Sequence, residues 1–490
     1  MPPIPFDNSY ARLPEQFFKK VAPNCPPNPK MIRANTELAS FLGIDLDWFI
    51  SKDGLAMVSG QKLPDGADPL AMAYAGHQFG GFSQKLGDGR ALLIGEVIAE
   101  DNIRRDIQLK GSGHTPFSRS GDGKSALGPV LREYIVSEYM AAIGVPTTRA
   151  LAAVSTGENV MRNGIEPGGV FTRVAKSHIR IGTFQYFHAR QDVKSVKTLA
   201  DYVINRHYPD ATEHDNPYAA LLGMIGKKQA ELIAKWMSFG FIHGVMNTDN
   251  VQIAGETIDY GPCAFIDDFH PQKVFSSIDE YGRYAWGNQS GIGQWNLAKL
   301  ADTLLPLIDD DEDKAADIAS EAIQNYNKIF LTAIFNRFSH KLGLLAGDES
   351  QNDLISKTIE VMTENEVDFT LFFRHLTKIY AGGSSDYFCQ LFKDPEAGEK
   401  WLSHWREYIS RDKKDSKEAR LDIMRAHNPI LIPRNHRIAE AIEAGEKGDF
   451  KPFHNLVDAL SKPLEDREKF ADYEQPPKQT EIVHQTFCGT

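Results

Sequence analysis

The change in residue pattern along the chain constrains its fold most. Up to about Arg190 the sequence is dense in glycine and contains short runs typical of β-strands, of which 91–97 is mostly apolar and 106–110 alternates polar with apolar residues. Beyond that point a helical period dominates, with one β-rich interruption at 251–268. No internal repeat of about 20–50 residues is evident. The sequence therefore predicts an α+β fold of two lobes, a β-rich N-lobe and a mainly helical C-lobe.

Further elements and boundaries follow from periodicity and composition. The proline-rich first part contains one helical stretch, 36–49, and is predicted to be an N-terminal extension. The end of the chain is charged and contains several prolines, so it is predicted to be a C-terminal tail. The predicted ranges are 1–60 for the extension, 61–190 for the N-lobe, 191–444 for the C-lobe and 445–490 for the tail. The clearest predicted helices are 129–143, 194–206, 218–239, 313–338 and 353–364.

Charge and cysteine content narrow the class of protein. The formal net charge is -12, from 66 acidic and 54 basic residues, which argues against a general nucleic-acid binder. The sequence contains no run of about eighteen apolar residues, which is the length that a membrane-spanning helix requires. The four cysteines are widely spaced and form no CxxC pair or Cys/His cluster, which excludes a structural zinc site and a disulfide scaffold. The first residues lack the basic flank and apolar region of a signal peptide. These observations predict a cytoplasmic enzyme or binding protein, with neither nucleic acid nor membrane as its partner.

Two phosphate-binding patterns near residue 121 are excluded by their context. Gly123-Lys124-Ser125 ends like a Walker A loop, but Ser118 stands where that motif requires its first glycine. The segment 121–126 fits a dinucleotide fingerprint, yet the preceding strand ends eleven residues earlier instead of immediately before it. What remains is a glycine-rich loop that leads into a helix at Pro129 and can present N–H groups to an anion.

Five features follow one another in the order that a protein-kinase fold requires. They are a glycine-rich hairpin, a lysine at the end of a strand, a glutamate in the next helix, a catalytic loop and a metal-binding aspartate. In this chain they correspond to 87–89, Lys110, Glu133, 243–250 and 259–261. The last two resemble H-R-D-x-x-x-x-N and D-F-G, and 251–258 is predicted to be a hairpin that joins them. The order of all five predicts a two-lobed, protein-kinase-like fold.

Val245 is the exception to this pattern. It stands where a kinase has the aspartate that accepts the proton of the substrate hydroxyl, and a valine cannot accept a proton. Either the chain is a non-catalytic relative of kinases, or another base replaces the aspartate. Asp249, next to the predicted metal ligand Asn250, is the candidate replacement, for a reaction with different phosphate geometry. His243 is predicted to be structural.

Longer strings of residues carry a resemblance over nearly the whole chain. They are Tyr74-Ala75-Gly76-His77-Gln78-Phe79-Gly80, Gln108-Leu109-Lys110-Gly111-Ser112-Gly113, Leu131-Arg132-Glu133, Asn247-Thr248-Asp249-Asn250, Asp259-Tyr260-Gly261-Pro262, Trp295-Asn296-Leu297 and Asn428-Pro429. On these strings the sequence resembles the selenoprotein O family of kinase-like proteins, called YdiU-type in bacteria. The resemblance implies transfer of AMP from ATP, bound in a flipped orientation, to Ser, Thr or Tyr hydroxyls of proteins, the chain itself among them. It also implies UTP as a second nucleotide donor, and Mg²⁺ or Mn²⁺ as the metal, with manganese favoured.

The resemblance further implies roles for individual residues. Lys110 would hold phosphate, Glu133 would orient Lys110, and Asp249 would be the general base. Asn250 and Asp259 would bind the metal, Asp259 also facing the nucleotide. The other implied nucleotide contacts are Gly87, Gly89, Arg90, Asp122, Gly123, Arg173 and Arg180. The two last arginines would hold the far phosphates, a task that suits the guanidinium fork.

Cys488 is third from the end of the chain, where eukaryotic members of the family place selenocysteine and bacterial members often cysteine. We therefore hypothesise a redox role in which this thiol pairs with another cysteine. Cys263 is the nearest candidate in sequence, although a small buried residue is the favoured interpretation of it. The redox partner that the family has in this region is not clearly present, because 274–277 reads Val-Phe-Ser-Ser.

Two alternative functions stay open at this point. One is an ordinary kinase that moves the γ-phosphate, which the valine at 245 opposes. The other is a nucleotide-binding pseudokinase scaffold without turnover, which the predicted metal ligands Asn250 and Asp259 oppose.

Overall fold

The computed structural model describes residues 3–162, 164–344, 351–411 and 416–487. Strands dominate the first third and helices the remainder, so the predicted α+β composition is confirmed. In chain order the strands are β1 (Phe18–Lys20), β2 (Lys30–Ala34), β3 (Leu70–Met72), β4 (Gly76–Gln78), β5 (Gly81–Ser83), β6 (Ala91–Ile98), β7 (Arg104–Lys110), β8 (Ser125–Ala126), β9 (Arg149–Met161), β10 (Ile165–Ala175), β11 (Phe241–Ile242) and β12 (Ala264–Phe265).

The helices follow a similar order. They are α1 (Thr36–Phe41), α2 (Leu46–Phe49), α3 (Lys52–Ser59), α4 (Leu127–Ala142), α5 (Ile181–His188), α6 (Val193–His207), α7 (Pro217–Ser238), α8 (Gln289–Ile308), α9 (Glu312–Lys341), α10 (Asn352–Asn365), α11 (Phe369–Tyr380), α12 (Asp386–Cys389), α13 (Pro395–Arg411), α14 (Lys417–His427), α15 (Asn435–Glu446) and α16 (Lys451–Leu460). Helices α7, α8 and α9 pack on one another, and α4 packs against β9 and β10. None of the helices in the described ranges is long and apolar enough to cross a membrane.

The main sheet has eight strands and brings separate parts of the chain together. Its order is β1-β3-β6-β7-β10-β9-β2, with β8 paired to β10, and each of these pairs is antiparallel. Lys110 pairs with Phe171, and Gln108 pairs with Arg173. Because alternate residues of a strand point to the same face, the side chains of Lys110, Gln108 and Arg173 share one face of the sheet.

The N-terminal 60 residues contribute two strands to this sheet. β1 pairs with β3 and β2 pairs with β9, at opposite edges. The single helix predicted over 36–49 was wrong, because the chain turns between α1 and α2 at Gly43, which has a φ of 73°. The side chain of Asp45 then accepts from the amide of Trp48 and starts α2 anew.

The predicted hairpin at 87–89 is also wrong in position. The hairpin of this region joins β4 and β5, and its turn lies at Phe79 and Gly80, whose φ angles are 51° and 88°. Gly87 has a φ of 75°, but it lies in a loop before β6, where an added Cβ would lie 2.4 Å from the ring of Phe117. The close approach of that ring, and not a two-residue turn, explains the glycine.

The segment 251–258 does not form the predicted hairpin. Its first half pairs with another part of the chain, since Ile181 N donates to Val251 O at 3.0 Å and Ile253 N donates to Ile179 O at 3.0 Å. Its second half forms a parallel bridge between Thr257 and Thr147. The two halves therefore bond to separate segments, residues 179–181 and Thr147, and do not form a ladder with each other.

The C-terminal 46 positions, 445–490, begin with a packed helix. Phe453 of α16 is buried and its ring lies 5.6 Å from that of Tyr134 in α4. Further along, the buried Thr486 pairs with Ser276, and its hydroxyl donates to Pro262 O at 2.6 Å. The chain around Thr486 therefore lies against the segment that follows residues 259–261.

Three histidines of the helical part, of which His375 and His427 are half-buried and His436 is buried, predict an acid-sensitive fold. Burial lowers the pKa of His375, His427 and His436 to about 4. In the unfolded chain these histidines protonate at about pH 6.5. Between about pH 6.5 and 4 the unfolded state therefore binds more protons than the folded state. Their stabilising effect is therefore complete above that window and is lost as the pH falls through it. We expect the thermal unfolding midpoint, followed by circular dichroism, to fall between about pH 7 and 5, and to fall less in His436→Gln. A midpoint that rises on acidification over this interval contradicts the prediction.

Candidate active site

Four charged side chains form a buried network between the main sheet and α4. Lys110 Nζ lies 2.6 Å from Glu133 Oε2 and 2.9 Å from Asp259 Oδ1. Arg173 Nε donates to Glu133 Oε1 at 2.8 Å, and its Nη2 donates to Asp259 Oδ1 at 2.7 Å. Two cations and two carboxylates therefore satisfy one another. The strand register explains the network, because Lys110 and Arg173 share the sheet face that α4 covers.

The network governs the ionisation of its carboxylates. Burial alone would raise the pKa of Asp259, but Lys110 and Arg173 outweigh burial and hold that pKa well below its usual range. Asp259 also has a φ of 62°, a left-handed conformation that non-glycine residues rarely adopt. The two cations bind its carboxylate in this conformation, which explains how the strained residue is retained.

Arg180 lies near the network but is differently bound. Its buried guanidinium sits 4.4 Å above the centroid of the Tyr74 ring, and its Nη2 lies 3.8 Å from Asp88 Oδ1. Its Nε has no hydrogen-bond partner among the residues that the structure describes. All three nitrogens of Arg173, by contrast, donate to Glu133, Gln108 or Asp259. Of the two arginines, Arg180 therefore retains donor capacity for a ligand.

Asp249 lies in a short turn of 3₁₀ helix, 248–250, on the helical side of the site. It is 8% exposed, and burial raises its pKa to about 6. Its Oδ2 accepts from Gln78 Nε2 at 3.1 Å, whereas its Oδ1 has no partner among the described residues. A buried carboxylate oxygen without a partner is unusual and leaves an acceptor available at this position.

The turn that carries Asp249 is fastened to the β4–β5 hairpin. His77 N donates to Thr248 Oγ1 at 2.7 Å, and Thr248 Oγ1 donates to Gln185 Oε1 at 2.6 Å. Phe79 N donates to Asn247 Oδ1 at 3.0 Å. His77, Gln78 and Phe79 belong to the strings that carry the family resemblance, but the sequence alone assigns them no role. Their role, holding the turn that carries Asp249, is apparent only from hydrogen bonds between residues about 170 positions apart in the chain.

Oxygen donors suited to a hard cation lie on two sides of the site. Asn250 Nδ2 donates to Val245 O at 3.1 Å, which directs the amide and leaves its oxygen as a potential ligand. Asp259 provides the carboxylate of the predicted pair of metal ligands. Amide and carboxylate oxygens are the ligands that Mg²⁺ and Mn²⁺ prefer, so the residues fit such an ion. Among the described residues, no group of three or more His, Cys, Asp or Glu side chains is placed to hold a metal ion.

The predicted glycine-loop residues lie in two loops that pack on each other. Ser118 Oγ donates to Gly89 O, and the amide of Gly111 donates to Arg90 O at 2.7 Å. Gly123 has a φ of 71°, and an added Cβ would lie 2.1 Å from Gly113 O, so only glycine fits there. An added Cβ at Gly87 would meet the ring of Phe117, and one at Gly89 would meet the backbone of Phe117 and Ser118.

Asp122 is placed apart from the charged network. It is half-exposed and its carboxylate pairs with Arg162 at 2.9 Å. It also accepts from the amide of Lys124 at 2.9 Å. The carboxylate of Asp122 therefore stabilises its own loop, and no hydrogen bond or ion pair joins it to Lys110 or Asp259 in the described ranges.

His243 has the structural position that the sequence predicts. It is buried, its Nε2 donates to Ile258 O at 2.8 Å, and its Nδ1 accepts from Val245 N at 3.3 Å. Cys263 is likewise buried, its thiol donates to Tyr260 O at 3.2 Å, and burial raises its pKa to about 11. These contacts favour the structural interpretation of Cys263. Cys488 lies outside the described residues.

Gly182 is a further residue of the site that the sequence interpretation missed. It lies in α5, where an added Cβ would be 2.2 Å from Ala75 O and 3.4 Å from the Cα of Asp249. We expect Gly182→Ala to lower the free energy of unfolding by about 1–3 kcal/mol, because the backbone must move apart. Gly223→Ala in α7 is the matched control, since nothing lies within 4 Å of its added Cβ. It should instead gain about 0.5–1 kcal/mol. Urea unfolding of both variants tests this, and equal effects would contradict it.

Comparison with known proteins assigns the chain to a family. The sequence profile described as protein adenylyltransferase SelO matches residues 3–461. The chain belongs to the SelO family. It is 56% identical to the protein nucleotidyltransferase YdiU of Rhizobium rhizogenes, over 100% of this chain and 97% of that protein. It is 54% identical to the protein of the same name from Rhizobium johnstonii, over 99% and 97%, and 53% identical to that from Rhodopseudomonas palustris, over 99% of each.

The charged network and the Asp249 turn both lie in the part of the chain that matches the SelO family. The match runs from the N-terminal strands to α16, so it contains every residue of both. The resemblance expected from the sequence strings is therefore confirmed at the level of the family.

Proposed function

We propose that this chain is a protein nucleotidyltransferase that transfers AMP from ATP to hydroxyl side chains of proteins and releases pyrophosphate. The observation that carries the proposal is Asp249, a buried carboxylate with one unpartnered oxygen, in a loop where Val245 cannot serve as a base. Membership of the SelO family and the name of the relatives support nucleotidyl transfer to proteins. UTP is the second candidate donor.

The proposed frame is a two-lobed, kinase-like one. The main sheet with α4 represents the N-lobe, and the helices from α5 onward represent the C-lobe. The ion pair between Lys110 and Glu133 supports this proposal, because kinases position a phosphate-binding lysine in the same way. The nucleotide would lie between the Lys110 network and the Asp249 turn, with the loops around Gly89 and Gly123 close to it.

In the proposed reaction, the acceptor hydroxyl attacks the α-phosphorus of ATP. Asp249 Oδ1 takes the hydroxyl proton as the new O–P bond forms, and the bond from the α-phosphorus to the β-phosphate oxygen breaks. Lys110 and Arg180 stabilise the negative charge on the departing pyrophosphate. Asn250 and Asp259 would hold Mg²⁺ or Mn²⁺, which supplies further charge neutralisation to the triphosphate when bound. Glu133 and Arg173 keep Lys110 and Asp259 in place.

Labelling with two forms of ATP tests the reaction. The purified chain is incubated with Mn²⁺ or Mg²⁺, an acceptor protein mixture, and ATP labelled on either the α- or the γ-phosphate. We expect protein-bound label from the α-position only, and none when EDTA removes the metal. Label from the γ-position only would mean a kinase and would contradict the proposal. ATP binding without either label would favour a scaffold without turnover.

A further inference from the structure

A groove of about 730 Å³ lies next to the Asp249 turn, and no step of the proposed reaction uses it. It is lined by Phe79 of the β4–β5 turn, by the segment 278–283 and by the first turn of α8. Large apolar side chains on its rim face solvent: Phe79 is 37% exposed, Ile278 55% and Tyr281 94%. Apolar side chains clustered in this way mark surfaces where proteins bind partners.

Hydrogen bonds join the wall of the groove to the turn that carries the candidate base. Gln78, which precedes Phe79, donates to Asp249 Oδ2 at 3.1 Å. The Tyr284 hydroxyl donates to Asn247 Oδ1 at 2.6 Å, and the rings of Tyr284 and Phe79 are 5.1 Å apart. The groove and Asp249 are therefore joined by hydrogen bonds between neighbouring segments.

Arg283 contributes a positive charge to the lining of the groove, which also contains the carboxylates of Asp279 and Glu280. Its guanidinium lies 4.8 Å above the Trp295 ring, and its Nε has no hydrogen-bond partner among the described residues. No carboxylate of the described ranges forms an ion pair with it, and both oxygens of the neighbouring Asp279 accept from backbone amides at 2.8 Å. A guanidinium with unused donors is suited to a carboxylate. Glu280 is exposed next to Tyr281 and also lines the groove.

We infer that this groove binds the part of the protein substrate that flanks the acceptor hydroxyl. The bound segment carries a large apolar side chain, which packs among Phe79, Ile278 and Tyr281, and a carboxylate, which pairs with Arg283. An extended segment advances about 3.3 Å per residue, so both groups lie within a few residues of the acceptor. The inference rests on the proposed function, because it names the acceptor chemistry of the same site. The continuity of the groove with the Asp249 turn and the unpaired charge of Arg283 support this occupant over others.

A peptide library tests the inference. Each peptide has one central Thr and degenerate flanking positions, and α-labelled ATP is the donor. We expect selection of Phe, Leu or Tyr and of Asp or Glu near the acceptor, with kcat/KM at least roughly tenfold above that of an alanine-flanked peptide. Ile278→Ser and Tyr281→Ala should lose the apolar preference, and Arg283→Gln the acidic one, while the affinity for a fluorescent ATP analogue stays unchanged.

Matched controls change similar side chains elsewhere on the surface. Ile165→Ser on β10 and Tyr387→Ala on α12 replace residues that are 71% and 69% exposed, and both should keep the wild-type preferences. Transfer without any flanking preference, or preferences that survive in the groove variants, would overturn the inference and leave the proposed function intact. Absence of α-label on every peptide and protein would overturn the proposed function itself. A change from dimer to monomer in the groove variants, measured by light scattering, would make the groove an interface between two copies and would also overturn the inference.

Discussion

Asp249→Asn is expected to lower nucleotidyl transfer by roughly 10²–10⁴-fold, the range that removal of a general base typically causes. The amide keeps the shape of the side chain but cannot take the hydroxyl proton. ATP affinity should stay near that of the wild type, because Lys110 and Arg180 are unchanged. Unfolding stability should not fall, since the variant removes a carboxylate whose pKa burial raises to about 6. The measurement is the initial rate of α-label incorporation at saturating ATP and metal.

Two controls separate the base from other roles of this carboxylate. Asp310→Asn makes the same change at an exposed position between α8 and α9, and should leave the rate unaltered. A titration with Mn²⁺ shows whether the loss in Asp249→Asn arises from weaker metal binding. Recovery of the rate at high Mn²⁺, or a rate within about threefold of wild type, would contradict the assignment of Asp249 as the base.

Glu133→Gln is expected to lower the free energy of unfolding by about 3–5 kcal/mol, because it removes one of the two carboxylates that neutralise the buried cations Lys110 and Arg173. Glu133 accepts from Lys110 at 2.6 Å and from Arg173 Nε at 2.8 Å, and all three side chains are buried. The variant should also lose transfer, since Lys110 and Asp259 are no longer held in one arrangement. Urea unfolding gives the stability, and α-label incorporation under folding conditions gives the activity.

Glu443→Gln is the matched control for this second change. Glu443 also pairs with a lysine, Lys447 of the next helical turn, but both side chains are about 70% exposed. Exposed pairs contribute little to stability, so this variant should unfold like the wild type. Equal stability of the two glutamine variants would contradict the prediction that the buried ion pairs of Glu133 stabilise the fold.

The elements that could be predicted from the sequence are those with a strong local pattern. The strands β6 and β7 and the helices α4, α6, α7, α9 and α10 have the type that periodicity predicts, with ends within a few residues. The predicted hairpins at 87–89 and 251–258 were wrong, because their residues are positioned by Phe117 and by the pairing of Gln252 with Arg180. Turn prediction uses only the residues of the turn itself, so it cannot take account of partners that are distant in the sequence.

The candidate site also has features that the sequence predicts and features that only tertiary contacts determine. The order of Lys110, Glu133 and Asp259 along the chain was enough to single out these residues, because each type has a specific task in phosphate chemistry. Their joint ion pairs with Arg173 depend on the register of β7 against β10, which no segment encodes alone. The roles of Gln78 and Gly182 likewise arise from contacts with Asp249.

The sequence by itself therefore determined the α+β composition, the family and the chemical types of the candidate site residues. These properties depend on residue identity and on spacing along one segment. The tertiary structure alone decided which carboxylate keeps an unpartnered oxygen, which arginine retains free donors and where a groove meets the candidate base. These properties depend on burial and on distances between side chains far apart in the chain, which only the packing of the sheet against the helices sets.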